Sequence, residues 1–158
     1  LAEVFTASDF SVVAVALKTN ARGLAGEWEP IVPAPLPWYV IARRVTGATP
    51  DRLAAARRLQ AAGQLPLFPP NVAGWPGGPA WFTASSLVAR ANLAAVVAAS
   101  TPDGEVLAAA HGDVQDLADV LGLPSTGFGE ASAEALTAAA AGSERLALAL
   151  ITPEFVIS

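Results

Sequence analysis

Residues 64–81 read QLPLFPPNVAGWPGGPAW, with five prolines, three glycines, two tryptophans and a phenylalanine. No helix interior or central strand survives that spacing of prolines, because each one removes an N–H and fixes φ. The stretch carries no charge, and a solvated linker would be Gly/Ser-rich or charged rather than furnished with Phe68, Trp75 and Trp81. It therefore predicts an ordered, packed loop. Whatever fold the chain adopts must be assembled from short segments on either side of it, residues 1–63 and 84–158.

Those segments read as helices. Ser8 and Asp9 offer capping oxygens before FSVVAVALKTNARG, and Gly23 stands where a left-handed C-terminal residue is wanted, although Val12, Val13 and Val15 leave room for a strand. EWEPIVPAPLP, with four prolines, is an extended connector. Pro37 suits a first helical position, and the following segment predicts a helix ending at Gly47 that buries Tyr39 or Val40. Thr49 before Pro50 predicts the start of a helix running to Gly63, with Leu53, Ala56, Leu59 and Gln60 facing inward.

Beyond the loop, Thr83 or Ser85 caps a helix whose face is Leu87, Ala91, Ala94 and Ala98. The last third predicts three short helices, with a start at Thr101-Pro102 and caps at Ser143-Glu144 and Thr152-Pro153-Glu154. Strand alternation is missing throughout. The expected fold is all-α: one domain over residues 1–158, an irregular helical bundle with a long Pro/Gly/Trp-rich loop.

Composition narrows the chemistry. Cysteine is absent and histidine occurs once, which removes thiolate nucleophiles, disulfides, iron–sulfur ligation and zinc sites built from two or more His or Cys. His111 in AAAHGD reads as the last residue of a helix before Gly112, favoured there by the helix dipole. No catalytic residue, metal site or cofactor is expected. With 9 basic and 14 acidic residues the formal charge is −5, so nucleic acid and anionic lipid are disfavoured partners. Residues 87–99, the nearest approach to a membrane span, are broken by Arg90 and Asn92. The chain begins LAEVF with no Met and no basic leader, as expected of a fragment or processed product.

The series Gln64, Leu67-Phe68, Pro69-Pro70-Asn71-Val72, Gly74-Trp75-Pro76, Trp81 and Leu87…Arg90…Asn92 resembles the C-terminal hallmark of a bacterial family known as domain of unknown function 1800. PLPWYVIARRVTGA resembles the segment that precedes that hallmark. LALALITPEF resembles its closing segment, with Thr152 where the family usually has Ser. The resemblance implies an all-α C-terminal portion of a longer protein, whose N-terminal helical half would be a partner. It also implies export, since members often carry export signals. A companion protein of the sulfatase and alkaline phosphatase fold is a further implied partner, being commonly encoded beside them. It implies no activity.

Five residues are candidate ligand contacts. Phe68, Trp75 and Trp81 with the Asn71 amide have the composition of a platform on which a sugar ring stacks. Equally, PPN fixes a turn, the glycines supply positive φ and both indoles plug the end of the bundle, and the weight falls there. Arg90 either holds an anionic ligand or, with more weight, donates to loop carbonyls left in excess by the prolines. Arg43 and Arg44 have the same choice between an anion site and a solvated face. Asp103, Glu105, Asp113, Asp116 and Asp119 are the carboxylates a glycosidase needs, but they read as an exposed face. The expected role is a binding or assembly module of the cell envelope. The alternative is part of a hydrolase on envelope polysaccharide completed by the N-terminal half, and a homo-oligomer is a third possibility.

Overall fold

The computed structural model describes residues 33–76, 78–81 and 83–157. The helix expected between Ser8 and Gly23, and most of the proline connector, lie outside the described residues. Among the described residues the chain is all-α, with eight helices and no strand.

Helix α1 (Pro35–Thr46) starts two residues earlier than the sequence predicts, because Pro35 as well as Pro37 falls in its first turn, where a missing N–H costs nothing. It ends at Gly47, left-handed at φ 67°. It buries Trp38, Tyr39, Ala42 and Thr46, whereas Val40 is exposed. Trp38 carries the long-range contact: its indole Nε1 donates to the Leu150 carbonyl at 2.9 Å. Helix α2 (Arg52–Ala61) is capped not by Thr49 but by Asp51, whose carboxylate accepts from Ala54 N at 2.7 Å. Its buried side is Ala55 and Leu59; Leu53 and Gln60, expected inside, are exposed.

Helix α3 (Ala84–Ala99) begins as expected at Thr83, whose hydroxyl accepts from Ser86 N at 3.1 Å. Ala91, Ala94 and Ala98 are buried on it as predicted, joined by Leu93 and Val97. The last third holds five helices, not three: α4 (Glu105–His111), α5 (Val114–Val120), α6 (Glu130–Ala138), α7 (Ser143–Ala149) and α8 (Pro153–Ile157). The additional breaks fall at Gly112-Asp113, where Asp113 caps α5, and at residues 150–152. Thr152 does not cap α8 with its side chain; the hydroxyl donates backwards to the Ala149 carbonyl at 2.8 Å.

Helix α7 buries Leu146, Ala147, Leu148 and Ala149 in succession, so it is enclosed on every side rather than along one stripe. It packs on α3, and that pair is the centre of the molecule. Helices α1 and α2 lie against α3, while α4 and α6 lie against α7, with α5 on α4 and α6. Several helix ends are closed by distant side chains. Trp38 takes an orphan carbonyl at the end of α7, and Arg145 Nη1 donates to Gly112 O after α4. The Glu154 carboxylate accepts from Gly129 N and the Ser132 hydroxyl at the start of α6.

Candidate functional site

The loop between α2 and α3 leaves at Gly63, held at φ 85° beside the Trp81 ring. Gln64 follows and is buried. Its side-chain oxygen accepts from Leu36 N at 2.7 Å. Helix α1 has no side-chain cap of its own, and two of its first three residues are prolines. Leu36 N is therefore an orphan donor, and Gln64 satisfies it while fastening the root of the loop to α1.

The loop then turns outward. Phe68 N donates to Leu65 O, and Leu67 between them is held at φ 69°, the only non-glycine with positive φ among the described residues. Such a backbone is strained for a γ-branched L residue. Leu67 is 88% exposed, Phe68 71% and Val72 fully so. The Asn71 side-chain oxygen accepts from Ala73 N at 2.8 Å, and its carbonyl accepts from Gly74 N, so the amide's acceptor is spent on its own turn. Trp75 is half-buried against the core with an enclosed, unpartnered Nε1. Trp81, in the short 3₁₀ turn Gly78–Trp81, is buried.

The five candidate residues thus divide. Phe68 and Asn71 stand at the exposed tip, Trp75 sits at its base, and Trp81 and Arg90 are interior. Trp81 is buried and offers no open ring face to a platform, and Trp75 is half-buried against the same core. Arg90 is 2% exposed and engages the proline connector rather than this loop: Nη2 donates to Pro33 O at 2.9 Å, and the guanidinium carbon lies 5.5 Å from the centre of the Trp38 ring. Its Nε and Nη1 are enclosed without partners, and burial draws its pKa down to about 10. Arg43 donates to Ala48 O and stacks near Tyr39, while Arg44 is exposed.

The acidic candidates stay on the surface. Asp113 caps α5, Asp119 accepts from Gln115 Nε2, and Asp103, Glu105 and Asp116 are exposed. His111 closes α4 as expected. Among the described residues no three metal-ligating side chains gather, and no helix is long and apolar enough to cross a membrane. Trp38 and Gln64 escaped sequence reasoning as positioning residues. The signal for Gln64 was present: a helix opening on Pro-Leu-Pro leaves one N–H in need of an acceptor.

Comparison with known proteins returns no significantly similar curated protein or solved structure. A family model described as "Protein of unknown function (DUF1800)" matches residues 1–157, and the chain therefore belongs to that family.

Proposed function

We propose that this protein is an exported binding or assembly module of the bacterial cell envelope, working through the tip of the loop between α2 and α3. One observation carries the reading: Leu67, Phe68 and Val72 are presented to solvent from a loop whose root is fixed by Gln64 and Trp81. An aliphatic and aromatic tip on a braced scaffold is the arrangement of a contact surface, since loops positioned by a rigid frame carry recognition. Export is supported by the family's habit of carrying export signals. The polar groups with defined partners serve the fold instead, Asp51 and Asp113 as caps and Glu154 as a clamp on α6.

The test is a photo-crosslinking amino acid in place of Phe68, in cells that make the protein natively. Adducts specific to position 68, with none from the exposed position Ala99 on α3, support the reading. Equal yields at both positions, or none at 68, overturn it. Cell fractionation in the same experiment reads export directly.

A further inference from the structure

The charges of the described residues fall into two groups along the sequence. Between residues 33 and 100 there are six arginines and one aspartate, a net of +5 that falls to +4 once buried Arg90 is set aside; between 101 and 158 there are nine carboxylates and one arginine, a net of −8. The first group belongs to α1, α2 and α3 and the second to the helices around α7, with α3 against α7 as the seam. The one aspartate of the cationic half, Asp51, is spent as the α2 cap. Screening over about 8 Å at physiological ionic strength makes the local charge, not the sum of −5, what an approaching surface meets.

Exposed apolar side chains divide the same way. Every large hydrophobic residue exposed among the described residues falls between positions 40 and 88, in the cationic half. The most exposed three form the loop tip. A partner fitted to this half must offer negative charge and, next to it, an apolar medium. The acidic half of a second copy supplies the first but, among the described residues, has no exposed large apolar side chain to receive Phe68. An anionic bilayer supplies both, phosphates outside and acyl chains a few ångströms beneath.

We propose that the loop tip is a membrane wedge: Leu67, Phe68 and Val72 enter the interfacial zone of an anionic lipid bilayer while exposed Arg57, in the stretch of α2 from which the loop leaves, meets lipid phosphate. Pro66, Pro69 and Pro70 have no N–H to desolvate, and the Asn71 carbonyl and side-chain oxygens are paired with Gly74 and Ala73 N–H, while the remaining tip carbonyls keep their contact with water and headgroups at the shallow depth of the interfacial zone. This inference rests on the binding-module reading and names its partner.

Sedimentation of the full chain with extruded vesicles tests it, using phosphatidylcholine alone and phosphatidylcholine with about one third phosphatidylglycerol. The expected result is at least about tenfold more binding to the anionic vesicles, weakened by salt. Phe68→Asp with Val72→Asp returns binding to the phosphatidylcholine level, and Arg57→Glu lowers it by about fivefold or more. Both changes lie on exposed side chains, and an unchanged circular dichroism melt shows that the fold is kept. Equal binding to both vesicles, no binding, or binding indifferent to the tip changes overturns the wedge. Position-68 adducts on a protein or glycan, without vesicle binding, overturn the bilayer as partner and leave the binding-module reading standing; absence of both overturns both.

Discussion

The two halves of the molecule solve the same problem differently. Around α7 the chain encloses its apolar residues, coats itself with carboxylates and closes helix ends through distant side chains: Glu154 on α6, Arg145 beyond α4. Around α1, α2 and the loop it leaves Leu53, Leu67, Phe68 and Val72 in solvent, places arginines near them and holds one leucine in a left-handed backbone. The first arrangement is what stability alone selects. The second tolerates exposed apolar area and strain, both of which a chain discards unless something uses them. Binding is therefore expected from one half and cohesion from the other.

The largest effect that can break this contrast is a core truncation. Leu146 and Leu136, both fully buried, belong to the sealed half. Leu146→Ala is expected to cost about 2–5 kcal/mol in denaturant unfolding, the transfer and cavity terms together. Phe68→Ala, the larger truncation by volume, is expected to cost less than about 0.5 kcal/mol because the ring is already in water. A loss of about 2 kcal/mol or more from Phe68→Ala would mean that the tip packs somewhere and is not a contact surface.

Arg90, buried on α3 against Pro33 and Trp38, gives a pH test. Its pKa is lowered from the ordinary arginine range to about 10 by burial. Between those values the unfolded chain holds more protons than the folded one, so this group makes stability rise as pH increases through about 10. Tyr39 acts in the opposite sense. Burial raises its pKa despite the nearby Arg43, so its contribution is present below the ordinary value of 10.0 and lost as pH rises through the folded value. The clean quantity is the difference between wild type and Arg90→Met. Wild type is expected to gain about 1.4 kcal/mol per pH unit above about pH 10, up to about 3 kcal/mol. A flat difference from pH 9 to 11 would show that burial does not lower the guanidinium's pKa and that its enclosed nitrogens have a partner or water.

How much of this was legible in the sequence depends on whether the governing interaction is local. Thr83, Ala91, Ala94, Ala98 and the end of α4 at His111 were readable, because a cap and a 3.6-residue stripe are local patterns. Trp81 as plug follows from composition. Trp38 was not readable: its partner is a carbonyl 112 residues away, and neighbouring Tyr39 and Val40 fit the same stripe. The start of α2 was misplaced because Thr49 and Asp51 both carry capping oxygens, and only the backbone decides between them. The candidate site was found as a segment but not as a geometry. Phe68, Asn71, Trp75, Trp81 and Arg90 are near in sequence or in family pattern, yet exposure separates them. The charge division runs along the sequence itself and is masked only when charge is summed over the whole chain; what the sequence does not show is that the two groups lie on opposite sides of the α3–α7 pair.

The caps sharpen the contrast at smaller magnitude. Glu154 closes α6 from a different helix with a charged acceptor, whereas Asp51 closes its own helix at an exposed end. Glu154→Ala removes the charged acceptor from both Gly129 N and the Ser132 hydroxyl, and is expected to cost about 1.5–3 kcal/mol. Asp51→Ala is expected to cost about 1 kcal/mol. Thermal melts of the two variants in parallel read the order. If Asp51→Ala costs more, the sealed half does not owe its cohesion to tertiary closure of its helix ends.

The smallest effect is the most direct probe of what the loop is for. Leu67 sits at φ 69° with its side chain 88% exposed. Leu67→Gly removes a backbone penalty of about 1–2 kcal/mol, and the greater freedom of the unfolded glycine chain takes back about 0.5–1 kcal/mol. Almost no packing is lost, so the net expectation is a gain of about 0.5 kcal/mol, read as a rise of a degree or two in the melting midpoint. The same change deletes one of the three apolar side chains of the tip and so lowers binding to anionic vesicles. A variant that is more stable and binds less is the outcome expected when strain is kept for contact rather than for folding. If Leu67→Gly instead lowers the melting midpoint, the leucine is holding the loop together, and the exposed tip belongs with the cohesive half after all.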